Sequence, residues 1–286
     1  MKYLENSFRF FGKFFLLAIP MYIMFAVPQI LMSPALLKIQ ESAMEIGNNP
    51  ESFANLQMQE MLEMFASIYM EALPMMGLSI AASFILGLII IPATYGVINK
   101  ALSTGKADLT DFLSEFLHNI GKYILYYIGL ILVSILLTIV IAVLIGLFVL
   151  MSKAIGALGV VLSVLIGIAV FLALLAFGFM LVYWFPAMVA DNKGVFQGLK
   201  SSISVAKSYF WPTVGISLLI SVGSAIAGAV VGGVQFIPVL GPLVVSIPAA
   251  VAQFITTVFY IIVYRDKTGK VEEEDNSVTE LPGGYL

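Results

Sequence analysis

The sequence predicts an all-α, polytopic membrane protein with six transmembrane helices in three hairpins, each hairpin preceded by an amphipathic interfacial helix. Three observations support this class. The 286 residues are 60% hydrophobic and 11% charged, with a mean hydropathy of +1.03, whereas a soluble domain carries about 25% charged residues. Six uncharged apolar stretches are long enough to cross a bilayer. Almost all lysines and arginines fall on one side of those stretches.

The uncharged intervals set the spans, since a spanning helix needs about 20 mostly apolar residues. The interval from Lys207 to Arg265 is too long for one helix, and glycines and prolines between Gly232 and Pro242 divide it. The predicted membrane domain, 1–265, has spans near 14–32, 72–98, 123–150, 157–187, 211–232 and 244–264.

Two segments are predicted to lie outside the bilayer. Residues 33–71 form a helical insertion, with one helix starting at Ser33-Pro34 and another near Ser52 that continues into the second span. Residues 266–286 form a disordered, acidic tail.

The basic residues predict the orientation. All but Lys38 and Lys153 of the 14 lysines and arginines lie on one side of the spans. Since cytoplasmic loops are enriched in lysine and arginine, we expect both termini, and the acidic tail, in the cytoplasm. We place the protein in a bacterial cytoplasmic membrane, with the 33–71 insertion outside.

Three segments before odd-numbered spans are predicted to be interfacial helices. In the clearest, at 109–122, Asp108 is placed as the N-cap and apolar residues recur at helical spacing. The others run from Gly194 to Phe210 and around Phe8. Similar short motifs at the starts of these spans indicate a three-fold repeat of parallel topology.

The stretch from Phe185 to Ser202 has a recognisable order of features. A span ends in Phe185-Pro186-Ala187, the turn Asp191-Asn192-Lys193-Gly194 follows, and an amphipathic helix leads to the next span. This order resembles the membrane-domain family of glycerophosphodiester phosphodiesterases and its uncharacterised bacterial six-span relatives. The resemblance implies a six-helix membrane domain. Because the soluble catalytic domain of some relatives and a His-Arg pair are not found in these residues, it does not imply phosphodiesterase activity.

Three lysines form the main candidate site. Lys193, Lys200 and Lys207 are seven residues apart, which predicts one stripe on a helix. The stripe is either a site for anionic lipid headgroups or a phosphate-bearing ligand, or general basic enrichment with snorkelling side chains. The helix at 109–122 carries an acidic face with Asp111 and Glu115, which either docks on protein, such as this stripe, or is solvated.

The outer segment offers a second candidate. Met58, Met61 and Met64 are spaced by three, and thioethers bind Cu(I), although such methionines are more often packing residues. The same segment is rich in glutamates against Lys38 alone, a pattern that attracts cationic peptides or simply maintains solubility.

Two features lie deep in the spans. Gln253 is the most polar deep residue and is predicted to mark a candidate polar cavity. In span five, Gly223 with Ala227 and Gly228 with Gly232 form small-xxx-small pairs that allow close helix approach. We expect packing within the chain, with a protein partner or homo-oligomer as the alternative.

Chemical groups are scarce elsewhere. The six spans hold no deep ionisable residue, which argues against a proton-coupled carrier. There is no cysteine, His118 is the single histidine, and no nucleophile–base pair, metal-ligand cluster or phosphate loop occurs. The net charge of −3 gives no sign of a nucleic-acid partner. We therefore predict no enzyme activity, no cofactor, and membrane lipids as partners.

These features leave three hypotheses for function. The first is a non-enzymatic scaffold or accessory subunit acting at the inner leaflet. The second is a permease or export subunit for an amphipathic solute. The third is an immunity or resistance protein that intercepts membrane-active peptides through its acidic outer segment.

Overall fold

The structure, a computed structural model, describes residues 2–49, 57–235 and 237–269. All regular secondary structure in these ranges is helical, as predicted. The helices are α1 (Lys2–Lys13), α2 (Ile19–Asn48), α3 (Met58–Thr104), α4 (Asp111–Ile155), α5 (Ala157–Leu181), α6 (Trp184–Ala190), α7 (Val195–Ser208), α8 (Phe210–Val231) and α9 (Leu240–Lys267), with short 3-10 turns at Phe15–Ala18 and Gly232–Val234.

Six stretches within these elements are long and apolar enough to cross a membrane, which confirms the predicted number of spans. The break between spans five and six also falls where the sequence placed it. There, a Cβ on Gly241 would lie 2.4 Å from the carbonyl oxygens of Val234 and Gln235, so the chain reverses at a point that admits glycine alone. The disordered tail was predicted to begin at Asp266, but α9 continues through Asp266 to Lys267. The part of the predicted tail after residue 269 lies outside the described residues.

The outer insertion differs from its prediction. Helix α2 continues through Pro34 to Asn48, so no separate helix starts at Ser33-Pro34. Proline lacks the N–H that would bond the carbonyl four residues earlier. The Ser33 hydroxyl donates to that carbonyl, of Ile30, at 2.9 Å, which keeps the helix intact.

The first hairpin therefore consists of two continuous helices, of 30 and 47 residues, each longer than the stretch of about 20 residues that a bilayer requires. The Lys38 ammonium of α2 lies 2.6 Å from a carboxylate oxygen of Glu71 on α3. Deeper in the hairpin, the Ser79 hydroxyl donates to the Pro28 carbonyl at 3.0 Å. In the described part of 33–71, the insertion is the continuation of two spans; residues 50–56 lie outside the description.

The predicted interfacial helices have two different outcomes. Helices α1 and α7 are separate from the spans that follow, and the breaks at Phe14 (φ −121, ψ 34) and Tyr209 (φ −133, ψ 31) have nearly the same backbone conformation. In the segment 109–122, the helix begins at Asp111 and is the first part of the 45-residue helix α4, so the prediction of a separate helix there was wrong. Gly121 alone does not stop a helix, since a helical glycine costs about 1 kcal/mol.

Helix α9 is the centre of the fold. Phe254, Val258 and Ile261 pack against α1, the 3-10 turn Phe15–Ala18 and α3, whereas Phe259 and Val263 pack against the α5–α6 junction, α7 and α8. In the most apolar 18-residue window of α9, 44% of residues are buried, against none in that of α5.

The two ends of the bundle are built differently. We call the end that holds Lys100, Lys193, Lys207 and Lys267 the lysine-rich end, and the opposite end, with Lys38 and Glu71, the far end. The hydrophobic clusters lie toward the lysine-rich end. Toward the far end, α4 and α5 pack on each other, and their other faces are exposed, as is most of α8 after Ile220.

Candidate functional site

The last turn of α9 connects the separate parts of the fold at the lysine-rich end. Four consecutive residues there, Tyr264 to Lys267, together contact four other segments of the chain: the α6–α7 turn, the end of α3, α1 and the start of α8. We call these four residues the α9 latch.

Tyr264 holds the turn between α6 and α7. Its side chain is fully buried, and its hydroxyl donates to Asp191 Oδ2 at 2.6 Å. The Lys193 ammonium lies 2.7 Å from the same carboxylate oxygen and donates to the Tyr264 hydroxyl and to Ser201 Oγ, both at 2.9 Å. Between them Asn192 has φ 53, a left-handed conformation that asparagine tolerates.

These contacts raise the pKa of Lys193. Burial by itself lowers the pKa of this ammonium, but the hydrogen bonds to Asp191 and Tyr264 outweigh it and hold the pKa above its ordinary value. Lys193 is therefore a charged, engaged part of the latch region.

Arg265 holds the end of α3. The residue is 5% exposed, and its Nη1 donates to Asn99 Oδ1 and Ser103 Oγ, each at 3.1 Å. A guanidinium at such depth requires hydrogen-bond acceptors, and the α3 terminus supplies them.

Asp266 and Lys267 hold the N-terminal helix and the start of α8. The Tyr3 hydroxyl donates to Asp266 Oδ2 at 2.5 Å. Burial and this carboxylate raise the pKa of the Tyr3 phenol. The Lys267 ammonium lies over the Tyr3 and Tyr209 rings, 5.8 and 5.2 Å from their centroids. Segments that belong to all three hairpins therefore contact the four residues of the α9 latch.

A second contact point is the indole of Trp184, near the end of span four. A Cβ on Gly129 would lie 2.8 Å from Trp184 Cη2, and one on Gly198 would lie 3.2 Å from Trp184 Cδ1 and 2.8 Å from Met188 Cγ. The indole Nε1 donates to the Val195 carbonyl at 2.8 Å. The ring is therefore held between α4 and α7 at two positions where the backbones approach closely.

The acidic face of α4 docks on protein, but not on the predicted lysine stripe. Asp111 lies 2.6 Å from the Lys100 ammonium on α3. A Cβ on Gly96 of α3 would lie 2.5 Å from both Glu115 Oε2 and Asn119 Nδ2. The apolar residues Leu113 and Leu117 consequently face outward, and His118 is exposed, 3.3 Å from Lys122.

The three predicted lysines do not share one environment. Lys193 precedes α7 and belongs to the latch region, so the stripe on one helix was wrong in this respect. Lys200 and Lys207 lie on the exposed face of α7. They are the part of the candidate site that remains open to a ligand.

Gln253 and the small-residue face of α8 were predicted to face the interior of the bundle, and this prediction was wrong. Gln253 is exposed on the surface of α9, so it does not line an internal cavity. Among the described atoms, nothing lies within 4 Å of a Cβ built on Gly223, Gly228 or Gly232. The glycines of this small-residue face of α8 therefore pack on no other helix in the part of the chain that the structure describes.

The predicted copper ligands are spread along the start of α3. Met58 is exposed, and Met61 and Met64 are half-buried. Across the described ranges no group of three or more His, Cys, Asp or Glu residues could hold a metal ion. Copper binding by the three methionines stays a hypothesis.

The α9 latch and Trp184 were not predicted as sites. The signal for the latch was present, since Tyr264-Arg265-Asp266-Lys267 is a polar run directly after an apolar span. Which partners these residues meet depends on hydrogen bonds across 71 to 263 positions of sequence, which local sequence does not encode.

The chain was compared with known proteins. A family model described as a domain of unknown function (DUF7847) matches residues 16–265. The chain belongs to the DUF7847 family. The matched region overlaps all six spans and ends at Arg265, within the latch. No curated protein matches this DUF7847 chain. No solved structure matches it. The resemblance to glycerophosphodiester phosphodiesterase membrane domains stays a prediction.

Proposed function

We propose that this protein is a non-enzymatic scaffold or accessory subunit of a bacterial cytoplasmic membrane, with both termini in the cytoplasm. The supporting observation is the contrast between its two halves. At the lysine-rich end, the latch and the hydrophobic clusters pack all three hairpins against one another. At the far end, α4, α5 and α8 present long apolar faces that the rest of the described chain leaves uncovered.

A bundle that is packed at the lysine-rich end and has uncovered apolar faces on α4, α5 and α8 at the far end is suited to binding another membrane protein between or along those helices. Helices associate in lipid by close packing of such faces. The polar groups of the latch are hydrogen-bonded to side chains of other segments, as structural groups are. They form no arrangement of nucleophile and base that would suggest catalysis.

Photo-crosslinking in intact cells tests the scaffold. A photoreactive residue at Leu136 or Leu165, which are 62% and 58% exposed, is expected to give a discrete protein adduct. The same residue at the buried Phe259 is the matched control and should give none. Adducts to lipid alone at both exposed positions would remove the scaffold proposal, as would steady turnover of a lipid or phosphodiester by purified protein.

The permease remains the second candidate, because a bundle closed at one end and separated at the other resembles one state of an alternating-access carrier. The permease is favoured if an amphipathic solute enters proteoliposomes and if this flux is lost when α4, α5 or α8 is crosslinked to α3 at the far end. The immunity hypothesis is tested by deleting 36–68, since unchanged sensitivity to membrane-active peptides would eliminate it.

A further inference from the structure

We propose that the exposed face of α7 is a binding site for anionic phospholipid headgroups, formed by Lys200 and Lys207 and bordered by Phe196 and Trp211. The proposal deepens the scaffold function by naming the lipid class met at the lysine-rich end, and it rests on that membrane placement.

The first support is the way α7 is mounted. Its inner face carries the buried residues Gly198, Ser202, Val205 and Ala206. The Ser202 hydroxyl donates to the Met180 carbonyl at 2.7 Å, and Gly198 receives Trp184. Both contacts hold α7 on the junction of α5 and α6, so its opposite face has a defined direction.

The second support is the composition of that opposite face. Phe196, Lys200, Ser204 and Lys207 recur at helical spacing and are all exposed. Phe196 is 85% exposed, and Trp211, in the first turn of α8, is 78% exposed. Trp211 follows Lys207 by four residues, a separation of at most about 14 Å between α-carbons. Aromatic rings beside lysines are typical of helices at the headgroup level.

The third support is charge. Within the described part of the chain, the ammonium groups of Lys200 and Lys207 have no acidic or hydrogen-bonding partner. Lys100, Lys193 and Lys267, at the same end, are all paired. Two unpaired cations on a helix joined to a spanning helix favour an anionic membrane surface by roughly fivefold for each lysine.

The chain carries its own probe for this site. It has two tryptophans, of which Trp184 is buried and Trp211 is exposed beside the lysines. The full chain is reconstituted into phosphatidylcholine vesicles that contain a minor fraction of phosphatidylglycerol. Bromine, a short-range quencher of tryptophan fluorescence, is placed on one lipid or on the other in parallel samples.

For the native chain we expect quenching by brominated phosphatidylglycerol to exceed the amount given by its mole fraction. K200Q/K207Q should lose this preference by roughly fivefold for each lysine, and high salt should weaken it in the native chain. W211F should lose the preferential quenching, which assigns the signal to this face.

K2Q/K106Q is the matched control, because Lys2 and Lys106 are exposed residues of the same end that lie outside α7. It should retain the preference. Equal quenching by both lipids in the native chain would overturn the proposal, as would full preference in K200Q/K207Q or equal loss in the control. Unchanged circular dichroism and thermal unfolding of each variant show that it is folded. The crosslinking test of the scaffold uses the far end, so either proposal can fail while the other holds.

Discussion

Arg265 donates a hydrogen bond of 3.1 Å to Asn99 Oδ1, joining the last turn of α9 to the end of α3 across 166 positions of sequence. The same guanidinium nitrogen donates to Ser103. Because the residue is nearly buried, these acceptors stabilise a charge that otherwise has little access to water.

Arg265→Ala is therefore expected to lower the free energy of unfolding by about 2–3 kcal/mol, since hydrogen bonds to a buried charge are among the strong ones. Thermal unfolding in detergent measures the loss. Lys106→Ala, at an exposed position of the same end, should change stability by less than about 0.5 kcal/mol. Equal effects of the two variants would show that the latch does not stabilise the fold.

Gly129→Ala should displace the Trp184 indole. The added methyl would lie 2.8 Å from Trp184 Cη2, and overpacking of this kind costs about 1–3 kcal/mol. The intrinsic fluorescence of Trp184 should shift as well. Gly228→Ala on α8 is the control, because its methyl meets open space and should be neutral or stabilising. A Gly129→Ala protein as stable as the control would contradict the close approach.

Ser33→Ala should cost about 1 kcal/mol, because the Ile30 carbonyl then loses its donor beside Pro34. Pro34→Ala restores the backbone N–H that bonds this carbonyl. In a double-mutant cycle measured by thermal unfolding, Ser33→Ala should therefore have little effect once position 34 is alanine. Additive effects would mean that the hydroxyl does not compensate for the proline.

Stability should fall at alkaline pH. The folded state holds the pKa of Tyr3 and of Lys193 above the ordinary values of 10.0 and 10.5. Both groups therefore bind their protons more tightly in the folded state, and their contribution is complete below those values. It is lost as pH rises through the higher, folded values. Tyr3→Phe should flatten part of the decline in unfolding temperature, and an unchanged profile would contradict the role of the Tyr3–Asp266 contact.

The proposed orientation can be measured with single cysteines, since the chain has none of its own. Lys38→Cys should react with a membrane-impermeant thiol reagent on intact cells. Lys106→Cys should react only after the cells are permeabilised, because cytoplasmic loops are enriched in lysine. The reverse pattern would invert every assignment of the lysine-rich end to the cytoplasm.

The sequence predicted the number of spans because lipid imposes a simple requirement. An uncharged apolar run of sufficient length must be helical to satisfy its backbone in a bilayer, so six such runs give six spans. The break around Gly241 was also legible, since glycine and proline act locally. The continuous helix through Pro34 could not be predicted, because the hydrogen bond that satisfies the Ile30 carbonyl depends on the rotamer of Ser33.

The candidate site was predicted less completely. Lys200 and Lys207 were identified by spacing, but Lys193 was grouped with them, although it is held by Asp191 and Tyr264. Gln253 was expected to face inward because it is polar, and it faces outward. Direction around a helix in lipid is poorly encoded by polarity, since both protein and lipid surroundings are apolar.

By itself, the sequence determined that this chain is helical, that six of its stretches are long and apolar enough to cross a membrane, and which ends of those stretches carry the lysines, because hydrophobic length and charge act residue by residue. The tertiary structure alone decided which groups meet. Tyr264 to Lys267 gather Tyr3, Asn99 and Asp191 into one end of the bundle because α9 is packed at its centre, and α7 turns Lys200 and Lys207 outward because Trp184 and Met188 occupy its other side.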